Sequence, residues 1–232
     1  MGAALWLAGL VACMPGPVEE TVVPDLRVMA VVPSTPEASP GESIAVGVEV
    51  MDPSGEGAEV LRWACAPGFG CTAPSPDPEV VVPQVPATDA PAPLVFLYGY
   101  ACAPGLCAEP DVEDPIGWMA TQPLIGASLG TKRLAVSTRA PEARATHPVL
   151  TGPEQVADGD EVPLGFTVVA PAGVEVELWN YATLGGWGEI SVPVVDGSAE
   201  TIWYAAEGAG ELLVVATDPA GGVATWRAAV SR

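Results

Sequence analysis

Five cysteines carry the most reactive side chains of this sequence, at positions 13, 65, 71, 102 and 107. Four of them form two parallel constructions. Cys65-Ala66-Pro67-Gly68-Phe69-Gly70-Cys71 and Cys102-Ala103-Pro104-Gly105-Leu106-Cys107 each follow an aromatic-bearing stretch (Trp63, Tyr100) and enclose a Pro-Gly turn that brings the chain back. A cysteine pair across such a turn reaches disulfide distance. The spacing predicts bridges Cys65–Cys71 and Cys102–Cys107, one of the three connectivities open to four cysteines. Loops this small remove little chain entropy, so each bridge is expected to stabilise by about 2–3 kcal/mol. The competing chemistry is four thiolates on zinc. Zinc pairs favour Cys-x2–4-Cys spacing, which Cys102/Cys107 meets and Cys65/Cys71 exceeds, and an exported compartment favours oxidation over ligation. Redox catalysis needs closer, Cys-x-x-Cys-like spacing.

Other catalytic chemistry has little to draw on. His147 is the only histidine and precedes Pro148, in a stretch that reads as a solvated linker. A hydrolase triad would depend on it entirely, and one histidine cannot build a histidine-rich metal site. Gly126-Ala127-Ser128-Leu129-Gly130 has the form of a nucleophile elbow, but an elbow needs a strand before it and a helix after it. Thr131-Lys132-Arg133-Leu134-Ala135-Val136 follows instead and reads as a strand. Carboxylates gather at Glu109, Asp111, Glu113 and Asp114, at Asp158, Asp160 and Glu161, and at Asp52, Glu56 and Glu59. Glycosidases hold two carboxyls at a fixed separation across a cleft, and acidic loops in so acidic a chain are weak grounds for that. Calcium suits loop carboxylates better, and Asp158, Asp160 and Glu161 are its candidate ligands, although Asp158-Gly159-Asp160-Glu161 lacks the alternate ligands of an EF-hand loop. The expectation is no catalytic residue and no required cofactor. Two tryptophans are candidate contacts for a carbohydrate or protein ligand: Trp187, flanked by Gly185, Gly186 and Gly188 and expected on a loop tip, and Trp118 beside the acidic loop. The ordinary alternative for both is packing in the core or at its rim.

The elements that must position these residues are strands. The 232 residues include 26 Gly and 26 Pro, which cut the chain into short segments and disfavour long helices. Hydrophobic residues make up 49%, enough for a packed core. From Ser43 to Val50, Ile44, Val46, Val48 and Val50 alternate with Ser43, Ala45, Gly47 and Glu49, the signature of a half-buried strand. Leu26–Val32, Val60–Ala64, Glu79–Val85, Leu94–Ala101 and Arg133–Thr138 complete a first set, with Pro83 demoting its segment to an edge or a bend. Val162, Leu164, Phe166 and Val168 open a second set, followed by Val174–Leu178, Ile202–Ala205, Glu211–Thr217 and Val223–Val230. Asp218-Pro219-Ala220-Gly221-Gly222 is the turn of a final hairpin. The predicted organisation is all-β, with two tandem sandwiches at 25–140 and 148–232 joined by a linker at 141–147.

The N-terminus and the charge supply an address. Met1 to Ala12 is uncharged and too short to span a bilayer as a mature helix, yet has the length of a signal-peptide core. Leu10-Val11-Ala12-Cys13 resembles the lipobox of bacterial lipoproteins, although no Lys or Arg precedes it. That resemblance implies cleavage after residue 12, a diacylglycerol thioether on Cys13, and a short tether over 13–24. Removing Cys13 also leaves an even set of cysteines. Met14 after the cysteine implies, by analogy with lipoprotein sorting, the outer membrane. Acidic residues number 29 against 8 basic, a formal charge of −21. Such a chain repels nucleic acid and anionic lipid surfaces, so the membrane would be reached through the lipid alone.

The strand cores carry a second resemblance. Leu212-Leu213-Val214-Val215-Ala216-Thr217-Asp218-Pro219-Ala220-Gly221-Gly222-Val223-Ala224 is similar to the last hairpin of bacterial PKD-like and other Ig-like domains, and Leu178-Trp179-Asn180-Tyr181 to their central strand. Leu26-Arg27-Val28, Pro40-Gly41-Glu42 and Arg62-Trp63-Ala64-Cys65 resemble bacterial cell-surface lipoproteins with tandem Ig-like domains. The inter-sheet disulfide of immunoglobulins is absent, since no cysteine lies in Ser43–Val50. The resemblance implies fold and location rather than activity. A tethered, rigid sandwich with loops free to vary leads to the expectation of a non-enzymatic binding, spacer or scaffold module of the envelope with an unknown protein or carbohydrate ligand. Its rivals are an envelope hydrolase or carbohydrate-processing enzyme, and an accessory subunit of an envelope complex.

Overall fold

Alternating apolar residues become strands throughout the residues that the computed structural model describes, 19–122 and 126–232. The stretch expected to be a signal peptide, and Cys13, lie outside the described residues. The first unit contains β1 (Arg27–Pro33), β2 (Glu37–Ala38), β3 (Ser43–Met51), β4 (Glu59–Ala66), β5 (Gly70–Cys71), β6 (Glu79–Val81), β7 (Ala92–Cys102), the short helix α1 (Pro115–Met119) and β8 (Ala127–Val136). They form a three-stranded sheet in the order β1-β3-β6 and a five-stranded sheet in the order β2-β8-β7-β4-β5. Val31, Ile44, Val46, Ala64, Leu97 and Leu134 fill the space between them. β2 is only two residues long, pairs with β8 in parallel, and so covers the outer edge of that strand.

Two glycines decide how closely these sheets approach. Gly99 and Gly130 are register partners on β7 and β8. A Cβ at Gly99 would lie 2.7 Å from Val48 Cγ2, and one at Gly130 would lie 2.4 Å from Val28 Cγ1. The pair makes a shallow trough in one sheet that receives valines of the other, as close interior packing requires.

The second unit contains β9 (Val149–Thr151), β10 (Glu161–Val169), β11 (Glu177–Ala182), β12 (Gly186–Trp187), β13 (Ser191–Pro193), β14 (Ser198–Tyr204), β15 (Ala209–Thr217) and β16 (Val223–Ser231). Its sheets run β12-β14-β10-β9 and β13-β11-β15-β16. β10 alternates strictly, with Val162, Leu164, Phe166 and Val168 buried against Leu178, Leu212 and Val214. With β2 and β12 set aside, the first, second and fifth strands of each unit face the third, fourth, sixth and seventh, the arrangement of an Ig-like sandwich, so the class is Ig-like.

The segments between the strands differ from a plain tether and linker. Residues 19–24 dock on the second unit: Glu19–Thr21 form a 3-10 turn, Val22 bridges Ala182, the Val23 amide donates to the Ala182 carbonyl at 2.8 Å, and Val23 is buried. Residues 141–147 are anchored rather than free. Arg144 binds Glu42 and the Ser39 hydroxyl, and the Ala145 amide donates to Glu37 at 3.3 Å.

The units also share a seam. Leu213, Val215 and Val223 bury against Met51 and Val23, with Met29, Ala30, Val32, Trp179 and Tyr181 packed around them. Outward residues of β1 and β3 thus meet outward residues of β11, β15 and β16. The result is a stack of four sheets, in which the two middle ones are apolar on both faces. Polar contacts close the rim: Arg227 spans Glu49, Glu211 and the Val50 carbonyl, and Thr225 donates to Glu49.

Candidate functional site

The four described cysteines pair as Cys65–Cys71 and Cys102–Cys107, with Cα atoms 4.0 and 5.3 Å apart. Cys65 and Cys71 are register partners of β4 and β5, which is why the loop between them closes. The bridges sit at opposite ends of the β4–β7 ladder, since Cys65 pairs with Phe96 and Cys102 with Glu59. Between them, the outward residues of the five-stranded sheet are aromatic. Trp63 stacks on Tyr98 with ring centroids 5.2 Å apart, and the Arg133 guanidinium lies 5.9 Å from the centre of Phe96. The chain after Cys107 folds back over this face. The Val112 carbonyl meets both sulfurs of the first bridge, and Trp118 meets Tyr100 edge-on at 5.1 Å. Burial under this cover raises the pKa of the Tyr98 and Tyr100 hydroxyls.

Trp118 therefore packs as a half-buried cover residue on α1. Trp187 departs further from expectation. It is fully buried in the second core, because Gly186–Trp187 pair with β14 and turn the ring inward. Gly185, at φ +70°, makes that turn, and a Cβ there would lie 2.1 Å from the Tyr204 carbonyl oxygen. The glycines that suggested a loop tip instead let a bulky ring approach the backbone.

Ser128 and His147 do not form a catalytic pair. Ser128 lies within β8, with no helix after it, and its hydroxyl accepts from the Val28 amide at 2.9 Å. His147 sits in the seam rather than in solvent. The Val223 amide donates to Nδ1 at 2.9 Å, so the proton resides on Nε2, which donates to the Pro33 carbonyl at 2.7 Å. The ring thereby links backbone of both units. Burial lowers its pKa; the nearby Lys132 lowers it further, while the Pro33 carbonyl and Asp218 oppose.

The acidic groups are put to local use. Asp111 accepts amides of Glu113 and Asp114, Asp114 caps α1 through the Gly117 amide at 3.0 Å, and Asp52 accepts the Ser54 and Gly57 amides. Asp160 is ion-paired with Arg232. Asp158, Asp160 and Glu161 do not converge, and no group of three or more such ligands gathers among the described residues. The one carboxylate buried inside the fold among the described residues, Glu37, has no local mark in the sequence. It is fully buried and bound by Ser137, Arg139 and the Ala145 amide.

The second unit carries several open clefts, of which one borders the edge strand β16. A cleft of about 550 Å³ runs between residues 153–159 and the end of β16, lined by Glu154, Val156, Asp158, Arg227, Ala229 and Arg232 among others. Such a gap follows from Pro153 and the turn at 158–160, which leave 153–159 without strand structure.

Fold and site together define a face-docked tandem of Ig-like sandwiches. No protein-family profile matches the chain, nor does any curated protein. Among solved structures it is similar to the D0-D1 domain of intimin, at 11% identity over 88% of this chain and 99% of that one, TM-score 0.30. It is also similar to a Parabacteroides merdae β-glucuronidase, at 9% identity over 83% of this chain but only 22% of the enzyme, TM-score 0.28. Likenesses this remote assign no activity or ligand. The class rests on the sheet order above.

Proposed function

We propose that this chain is a non-catalytic, lipid-anchored module of the bacterial envelope, whose docked sandwiches act as a rigid binding or scaffolding body. The observation that carries the reading is the seam. Two sandwiches joined face to face, with Ser128 and His147 both committed to backbone hydrogen bonds, suit presentation of a fixed surface better than turnover. The lipid rests on Leu10-Val11-Ala12-Cys13, and the outer membrane on Met14. Only six residue steps separate Cys13 from Glu19, where docking on the body begins, a reach of at most about 20 Å. An anchored chain would therefore hold its body close to the bilayer. Its charge of −21 disfavours lying flat on anionic lipid, so the thioether is the attachment.

The test is fractionation of cells expressing the full chain and Cys13→Ala. The wild-type chain is expected in the membrane fraction and to incorporate a clickable fatty acid, and Cys13→Ala to appear in the soluble periplasmic fraction. A variant that stays with membranes, or a wild type that takes up no label, overturns the anchor.

A further inference from the structure

Beyond Val223, the outer backbone edge of β16 has no backbone partner among the described residues. Arg232 exchanges both hydrogen bonds with Gly208, at 2.8 and 3.1 Å. The β15–β16 register continues without a shift, so alternate residues Val230, Ala228, Trp226 and Ala224 face β15 in the same way. The intervening residues direct N–H and C=O away from β15. Val223 confirms this phase, because its amide points out to His147. Arg227, Ala229 and Ser231 share the phase, border the open cleft, and find no backbone partner beyond β15 among the described residues.

The first unit shows what this position takes. There β2 lies along β8 in parallel at Ala135 and Val136, near the C-terminal end of the corresponding strand. In the second unit the matching stretch of β16 faces a cleft, with 153–159 forming the far wall instead of a strand. Charge narrows the occupant. Arg227 is held by Glu49 and Glu211, and Arg232 by Asp160. Glu154 and Asp158 also line the cleft and have no ion pair among the described residues, so its unbalanced charge is negative.

We propose that the cleft binds an extended segment of a partner protein, carrying Lys or Arg at alternate positions, which adds to the edge of β16 as β2 adds to β8. Main-chain bonds at Arg227, Ala229 and Ser231 supply attachment, and Glu154 and Asp158 select the basic side chains. The proposal deepens the binding reading by naming its partner class, and does not depend on the lipid anchor.

The test uses the full chain in detergent and a short peptide alternating valine with lysine, with a valine–glutamate peptide as its counterpart. Amide exchange and titration calorimetry are the readouts. The lysine peptide is expected to slow exchange at Arg227, Ala229 and Ser231 and to bind at least about tenfold more tightly than the glutamate peptide. Ala229→Pro removes one outward N–H at an edge position that tolerates proline, and is expected to weaken binding about tenfold. Glu154→Lys with Asp158→Lys, which leaves the backbone edge intact, is expected to reverse the preference toward the glutamate peptide. No binding of the lysine peptide, protection elsewhere, or an unchanged preference in the double variant overturns the proposal. So does self-association through this edge without peptide, which would make a second copy the occupant. Each of these outcomes leaves the Cys13 fractionation result untouched.

Discussion

Glu37 is the buried carboxylate of the first unit, and its substitution is expected to be felt throughout its hydrogen-bond partners. It begins a two-residue strand, is fully buried, and binds Ser137, Arg139 and the Ala145 amide. Burial alone would raise its pKa, but the bonds from Arg139, Ser137 and Ala145 and the Arg139 charge outweigh burial and hold it below its ordinary 4.5. Glu37→Ala strands a buried hydroxyl and an amide, and urea denaturation should show a loss of about 2–3 kcal/mol. Because the folded pKa is the lower one, the unfolded chain takes up the proton first. This contribution is complete above pH 4.5 and lost as pH falls through the folded value. His147 behaves alike from a different cause. Neutral, its Nδ1 accepts the Val223 amide; protonated, it cannot. Its lowered pKa means that the stability it confers is present above 6.5 and declines below it, so the urea midpoint should fall on acidification through that value. His147→Ala should remove that portion of the slope. For Trp187, truncation to Ala should cost about 3–5 kcal/mol, whereas Phe, which removes an indole N–H that has no partner among the described residues, should cost well under that.

At the scale of elements, the Gly99–Gly130 trough sets the spacing of the first sandwich. Gly99→Ala should destabilise by about 1–3 kcal/mol through overpacking, and Val48→Ala in the same chain should recover part of the loss in a double-mutant cycle. Which elements could be read from the sequence follows from their length. β10 displays its alternation over nine residues and needs no context, and the same holds for most of β3. β2 has two residues, too few to show a period, and owes its pairing to β8. Glu37 was therefore illegible, since nothing local marks it as buried. The two bridges were legible because Pro-Gly turns join their halves locally. Trp187 misled because glycine serves both for loop tips and for close approach of a ring to the backbone. The seam had a signal that alternation conceals: Leu212-Leu213-Val214-Val215-Ala216 is apolar at every position, the mark of a strand buried on both faces. The sequence placed it in a hairpin, whereas its second face needs the neighbouring sandwich.

The whole molecule is a stack of four sheets whose middle pair belongs to different sandwiches. Docking of 19–24 on the second unit, anchoring of 141–147 on the first, and the apolar seam all oppose independent motion. Trp179→Ala or Leu213→Asp should loosen the seam while leaving each sandwich folded, and calorimetry should then resolve two unfolding transitions in place of one. The most direct test of the docked arrangement is 15N relaxation of the Cys13→Ala chain. One rotational correlation time and one diffusion tensor should describe amides of both units. Two separate, shorter correlation times would contradict the arrangement, because sandwiches that tumble apart cannot share a buried seam.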